Sequence, residues 1–354
     1  MHSLKKISKV IFIFVIGMAT YLLLPQNKIE AANTDFVVTP EAPQSQLPNS
    51  EGIFNLYLQP GQTEDLNLRV ENKADKARTM FAQLNTGYTN DNGTSVFDSA
   101  KIPKEPTLKY NLKNQLAIGK TNLRVKMKAH QSGYISFKIK APDQPFNGEI
   151  YGGVTATIYN ANTNVTDNGT LLRNNYQYAI PIYLTNVQNI SGVQPDIKLG
   201  TIKPGINSGD PAVLVQTRNV KPKYLRTMDV KAKITKKGES KVLHRQNQKN
   251  VSMAPNSTFN YAIGWGKNRI EPGQYHLSWT GQSQGVKTWH FERDFTISND
   301  QASRINNLAG FKPNYLWLWI LLAVLLVILL LVLGIWLGRR NSKSKNAGNR
   351  RRQR

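Results

Sequence analysis

The sequence predicts an all-β chain of two sandwiches in series, closed by a single C-terminal transmembrane helix. Three observations predict it. Apolar residues alternate at period two through most of residues 33–300, the spacing that puts one face of a strand on a core. Clusters of Gly, Pro, Asn and Asp interrupt these runs, and no long stretch carries the 3.6-residue period of an amphipathic helix. Finally, the 23 residues from Tyr315 to Leu337 carry no charge, enough at about 1.5 Å per residue to cross a bilayer.

Residues 1–31 read as a signal peptide. Lys5, Lys6 and Lys9 precede the apolar run Val10–Leu24, and small residues permit cleavage near Ala31-Ala32. An uncleaved anchor is the alternative, because Ile29 and Glu30 suit a cleavage site poorly. The first sandwich is expected over 33–185. Ile53–Leu58 leads into the turn Pro60-Gly61-Gln62, and Leu66, Leu68 and Val70 then alternate with polar partners. Asn90-Asp91-Asn92-Gly93 is a hairpin turn. Leu123, Val125 and Met127 alternate with Arg124, Lys126 and Lys128, so that strand has a basic face; Ile135, Phe137 and Ile139 repeat the pattern. Ile150–Tyr159 and Tyr176–Leu184 supply two more strands.

Gly192 and Pro195 suit a linker into the second sandwich, 186–300. There Met228, Val230, Ala232 and Ile234 alternate against Asp229, Lys231 and Lys233. Tyr275, Leu277 and Trp279 mark a late strand; Trp289, Phe291, Phe295 and Ile297 mark another. Residues 301–314 read as a juxtamembrane stalk, 315–337 as the membrane helix and 338–354 as a basic tail. Trp317, Trp319 and Trp336 stand near the two edges of the span, where indole rings favour the interface. Arg339, Arg340, Lys343, Lys345, Arg350, Arg351, Arg352 and Arg354 follow without an acid. By the positive-inside rule the tail is cytoplasmic, making a type I single-pass membrane protein with its sandwiches outside. A stop-transfer tail explains these charges, so no nucleic-acid partner is expected. Asn306–Asn314 reads NNLAGFKPN and holds no Leu-Pro-x-Thr-Gly sorting motif, so the chain is expected to stay membrane-held.

Composition narrows the chemistry. The 354 residues hold 46 Lys+Arg against 22 Asp+Glu, a net +24 that favours anionic partners. Residues 186–310 carry 18 basic and 8 acidic side chains, whereas 33–185 carry 15 and 13, so the ectodomain's basic excess belongs to its membrane-proximal half. Lys231, Lys233, Lys236 and Lys237 are the candidate contact for a polyanion such as teichoic acid or for a protein partner; a generally solvated cationic surface explains them equally. There is no cysteine, which removes disulfides, thiol nucleophiles and Cys-ligated metals. The histidines show no metal spacing, and no Gly-x-Ser-x-Gly elbow, Walker loop or dinucleotide fingerprint occurs. Neither an enzyme nor a cofactor is expected. Glu149 beside Tyr151-Gly152-Gly153 is the cluster nearest to an active site, although strand glycines more often mark a close backbone approach. Tyr57, Tyr88, Tyr110, Tyr134, Tyr151 and Tyr159 could stack on sugars or anchor a partner.

Short motifs recur in a telling order. The first half carries Phe36-Val37-Val38-Thr39-Pro40 with Pro43 and Gln46, Gly52-Ile53-Phe54, Pro60-Gly61-Gln62, Val70-Glu71-Asn72 and Gly148-Glu149-Ile150-Tyr151-Gly152-Gly153. The second carries Ala254-Pro255-Asn256-Ser257, Pro272-Gly273-Gln274-Tyr275 and Trp289-x-Phe291 with Phe295. With the leader, helix and basic tail, this order resembles the WxL-interacting protein family of Gram-positive bacteria over nearly the whole chain. The resemblance implies immunoglobulin-like sandwiches, the first binding peptidoglycan and the second binding WxL-domain surface proteins or host extracellular matrix proteins. Tyr88, Tyr110, Tyr151, Gly152 and Gly153 are the candidate peptidoglycan contacts. The rival expectation is an extracytoplasmic sensor that signals through a cytoplasmic partner.

Overall fold

The computed structural model describes residues 36–159, 165–167, 170–172, 177–311 and 315–349; the expected signal peptide lies outside the described residues. Two immunoglobulin-like β-sandwiches and a C-terminal apolar helix account for most of them.

The first sandwich packs two sheets face to face. One has the order β1 (Phe36–Pro40), β3 (Thr63–Asn72), β9 (Ser132–Lys140), β7 (Ala117–Ile118). The other has the order β2 (Phe54–Tyr57), β13 (Gln177–Thr185), β10 (Ile150–Tyr159), β4 (Arg78–Thr86), β8 (Asn122–Met127). All neighbours in the two sheets are antiparallel except β2 and β13. Two short hairpins, β5 (Tyr88–Thr89) with β6 (Ser95–Val96) and β11 (Val165–Asp167) with β12 (Thr170–Leu172), project from this frame. Alternation fixes the faces: Leu66, Leu68 and Val70 of β3 point inward with Ile135, Phe137 and Ile139 of β9, meeting Met80, Leu84, Val154 and Ile182 of the other sheet.

The second sandwich packs β14 (Ile197–Asn207), β15 (Asp210–Asn219) and β18 (Ser257–Gly264) against a sheet ordered β17 (Val242–Met253), β16 (Leu225–Lys236), β19 (Gly273–Ser283), β20 (Lys287–Ile297). Its core is aromatic, with Trp279, Tyr261, Tyr275 and Phe259 fully buried. Tyr261 donates its hydroxyl to the Gln246 carbonyl at 3.0 Å, so this large ring carries no orphaned polar tip.

The expected stalk, 301–314, is corrected at its start. Helix α1 (Asn299–Leu308) opens on a capping box between Ser298 and Gln301 and lays Ala302 and Ile305 into the second core. The Asn306 side chain brackets the Ile270 backbone, accepting from its N–H at 2.8 Å and donating to its carbonyl at 3.0 Å. Two apolar side chains at helical spacing are too few to reveal such a helix by periodicity. The connector from Leu308 to Tyr315 can span at most about 25 Å, which holds the second sandwich near the start of helix α2 (Leu316–Asn349). Leu318–Trp336 of α2 is apolar, and none of it is buried among the described residues.

The sandwiches are joined by more than the linker at 186–196. A seam closes between the loop following β4 and the start of β10 in the first and β15–β18 in the second. Tyr151, Phe97 and Ala254 are buried together there, with Tyr183 and Tyr224 packed against them. The Tyr151 ring centroid lies 5.1 Å from that of Tyr183 and 5.2 Å from that of Tyr224. Arg218 donates to both carboxylate oxygens of Glu105, at 2.8 and 2.6 Å, and the Glu105 side chain is fully buried. Thr89 and Ser257 share a hydroxyl–hydroxyl hydrogen bond of 2.6 Å. The predicted hairpin turn reaches across too: Gln248 donates to the Asn92 carbonyl at 2.6 Å, and the Ser252 N–H to the Gly93 carbonyl at 2.9 Å.

Candidate functional site

The candidate contacts of the first sandwich lie around the seam. Tyr151 is 6% exposed, and its ring lies over Gly87, where an added Cβ would fall 2.0 Å from the ring. Gly152 has its neighbours just as close: a Cβ would meet the Asn85 carbonyl oxygen at 2.4 Å. At Gly153 it would meet the Phe97 ring at 2.4 Å. These glycines let the 97 loop and the neighbouring strand approach β10. Tyr110 packs edge-on against Phe146 and, with Tyr151, lines a seam cavity of about 10 Å³, room for about one water. Tyr88 is half-buried on β5 and donates its hydroxyl to Asp98 at 2.8 Å; burial and that carboxylate push its phenol up to about 12. Burial also drives the Tyr151 phenol well above its ordinary value.

Glu149, the residue most suggestive of catalysis, is a seam residue as well. Its carboxylate pairs with Lys223 and accepts the Tyr224 backbone N–H at 2.9 Å. Burial alone would push the Glu105 carboxyl up, but the hydrogen bonds from Arg218 and Thr107 outweigh it and hold the group below its ordinary range.

An open cavity of about 400 Å³ lies beside the seam, lined by Thr86, Ser99, Ala100, Lys101, Ile102, Asn111, Lys113 and Asn114. Its far wall is a single wide turn, Leu112–Leu116, anchored by Leu112 and Leu116 in the core and capped by Asn111, whose side chain accepts from the Asn114 N–H. Thr86 ties this turn to the end of β4: its hydroxyl donates to Asn111 Oδ1 at 2.5 Å and accepts from the Lys113 N–H at 2.9 Å. The Lys113 ammonium is positioned by Asn85 Oδ1 at 2.8 Å. Asn85 is fully buried, and its Nδ2 has no partner among the described residues. The near wall is the loop 99–102, folded on itself by Ser99, which donates to the Lys101 carbonyl at 2.9 Å. Among the described residues no carboxylate lines the cavity, and both acids of the loop face elsewhere, Asp98 to Tyr88 and Glu105 to Arg218. Sequence reasoning passed over this group because its donors are scattered between Thr86 and Asn114 with no motif.

In the second sandwich Lys231 and Lys233 stand exposed on the outer face of β16. The register with β17 puts Asn247 opposite Lys231 and Arg245 opposite Lys233, so an unanticipated third cation joins the row. Lys236 is exposed at the end of β16; just beyond it Lys237 pairs with Asp294 at 2.9 Å. Next to this pair His276 lies between Asp294 (Nδ1, 2.7 Å) and Glu292 (Nε2, 2.7 Å). Those two carboxylates raise its pKa above 6.5. Among the described residues no group of His, Asp and Glu is arranged to hold a metal ion. Of the residues expected to anchor the chain in a membrane, Trp319 and Trp336 are exposed on α2, which also contains Trp317, Arg339 and Arg340.

Comparison with known proteins agrees with this division. Residues 36–157 match the family model described as WxL Interacting Protein, peptidoglycan binding domain, and residues 167–307 match WxL Interacting Protein, host binding domain. The second match begins before β13, which the pairing with β10 and β2 assigns to the first sandwich. No curated protein matches. Among solved structures, the class 5 fimbriae chaperone CfaA is 13% identical, over 74% of this chain and 98% of its own, with a TM-score of 0.28. The E. coli chaperone DraB is 12% identical over 73% and 99%, at 0.26, and a PapD-like domain of human CEP192 is 10% identical over 44% and 87%, at 0.27.

Proposed function

The chain belongs to the WxL-interacting protein family, and from that premise we propose that it is a non-enzymatic tether at the Gram-positive cell surface. Its first sandwich holds peptidoglycan, and its second holds a WxL protein or a host matrix protein. Helix α2 fixes both in the membrane with the sandwiches outside and the basic tail inside. The single observation that carries the reading is the succession of two binding-domain matches over the two sandwiches, ahead of a 19-residue apolar span. Tethering follows from geometry: the short connector keeps wall and partner contacts at high effective concentration, so two weak contacts act as one strong one. The seam adds to this by fixing the angle between the two binding surfaces. The cluster at Glu149 supports the non-enzymatic reading, because its carboxylate is spent on Lys223 and the Tyr224 backbone.

Incubating the full-length protein in detergent with insoluble peptidoglycan tests the first assignment. Retention at physiological salt is expected, and passage into the supernatant rejects it. For the second, a WxL protein from the same cell should co-elute with the full-length chain; elution of both folded proteins as separate species removes that partner.

A further inference from the structure

Peptidoglycan presents two chemistries, a neutral glycan bearing acetamides and peptide branches bearing carboxylates. We infer that the cavity between Thr86 and Asn114 takes a carboxylate of the peptide branch, with Lys113 as its main cation and Lys101 as its second. The inference rests on the reading that the first sandwich binds peptidoglycan, and it names which part of the polymer is held.

The lining decides the sign of the ligand. Among the described residues it offers two ammonium groups, the Thr86 and Ser99 hydroxyls and the Asn111 and Asn114 amides, with no carboxylate to neutralise them. Neither lysine forms an ion pair among the described residues. A glycan alone would leave these charges unmatched, whereas a carboxylate completes a charge-assisted hydrogen bond. Lys113 is also preorganised: one ammonium proton is committed to Asn85 Oδ1 and two remain, so little rotamer freedom is lost on binding. Size sets the kind of group. About 400 Å³ is at the small end of ligand sites, enough for a peptide branch end but not for a glycan strand. The cavity has no arginine and no glycine-rich run of backbone N–H groups, the devices that favour phosphate.

The seam holds the cavity open. Between the near wall at 99–102 and the far wall at 111–114 the chain is pinned twice to the second sandwich, by Arg218 on Glu105 and by Asn256, which donates to the Thr107 hydroxyl at 3.0 Å. Arg218 is thus a positioning residue for a site it does not touch.

Calorimetry on the full-length protein in detergent tests the assignment with four probes: a soluble muramyl pentapeptide, the same peptide with its carboxylates amidated, an N-acetylglucosamine tetramer and a glycerol-phosphate oligomer. The free acid should bind, and amidation should weaken it about 10- to 100-fold, the range for losing a hydrogen bond to a charged group. Lys113→Met should weaken the free acid similarly and leave the amidated peptide unaffected; Lys101→Met should do less. Lys113→Arg should restore part of the loss. Equal affinity for acid and amide, or tighter binding of the tetramer or the phosphate oligomer, overturns the proposal. Insoluble peptidoglycan separates the two levels of failure. Loss of wild-type retention there would remove the peptidoglycan reading itself, whereas equal retention of wild type and Lys113→Met would remove only the carboxylate site.

Discussion

The seam and the cavity beside it are built from the same loops and do opposite things with their polar groups. At the seam Glu105, Glu149 and Tyr151 each have a partner from the other sandwich: Arg218, Lys223 and Tyr224. In the cavity the donors of Lys101, Asn114 and Lys113 have few or no protein acceptors and face solvent. The difference shows that a cluster of tyrosines, glycines and a carboxylate can be chemistry turned inward to join two modules. Groups left with spare valence are the ones that can recognise something else.

The strongest way to break this comparison is to open the seam. Tyr151→Ala removes a buried ring touching both sandwiches and should cost about 3–5 kcal/mol. Thermal unfolding should then split from one cooperative transition into two, as the halves lose the contact that couples them. Gly153→Val is the complement, forcing a side chain into Phe97, and should cost about 1–3 kcal/mol by overpacking. A single transition for both variants, unmoved in midpoint, would show that the seam does not couple the sandwiches.

The ion pair gives a finer cut. Glu105→Gln should cost about 1.5–3 kcal/mol, because Arg218 loses the acceptor that satisfied both its donors. The Glu105 carboxyl is held below 4.5 in the folded chain, so its contribution is complete above that value and disappears as pH falls through the folded one. Urea midpoints measured from pH 7 downward should drop more steeply for wild type than for Glu105→Gln. Parallel curves would mean that the pair does not report on acid stability.

Much of this fold was legible in the chain, and the seam was not. Leu66–Val70, Ile135–Ile139 and Met228–Ile234 announce their strands because one face of each is core and the other solvent. Strand β17 stayed hidden because Arg245, Gln246, Asn247, Gln248 and Lys249 make it polar on both faces for half its length. Glu105 and Arg218 are 113 positions apart, and no local pattern can express that pairing. The lysines of β16 were visible by alternation, but Arg245 joins them only through the register of β17. Tyr151 and the Gly152-Gly153 pair stand out in the sequence, but their burial between modules could come only from the assembled fold.

Charge on the open face of the second sandwich should matter less to stability than either seam change. Replacing Lys231 and Lys233 together by Gln should shift stability by less than about 0.5 kcal/mol, since both are exposed and form no ion pair among the described residues. If this face holds the partner, the same change should flatten the salt dependence of partner binding, because exposed charge contacts weaken as ionic strength rises. Unchanged salt dependence would move the partner to another surface.

The smallest effect separates a closed histidine from an open one. His244 is stacked on Trp265, with ring centroids 3.9 Å apart, and burial lowers its pKa below 6.5. Asp294 and Glu292 favour the charged form of His276, on the outer face of β19, and raise its pKa. The two therefore pull stability in opposite directions. The contribution of His276 is present below 6.5 and is lost as pH rises through its raised value, whereas that of His244 is present above 6.5 and is lost as pH falls through its lowered one. Imidazole carbon-bound protons followed by NMR from pH 4 to 9 should titrate in that order, His244 at the more acidic pH and His276 at the more basic. Asp294→Asn should bring His276 back toward 6.5 and leave His244 where it was. Coincident titration of the two rings would mean that the carboxylates beside His276 are solvated separately from it, and that the outer face there carries no fixed charge cluster.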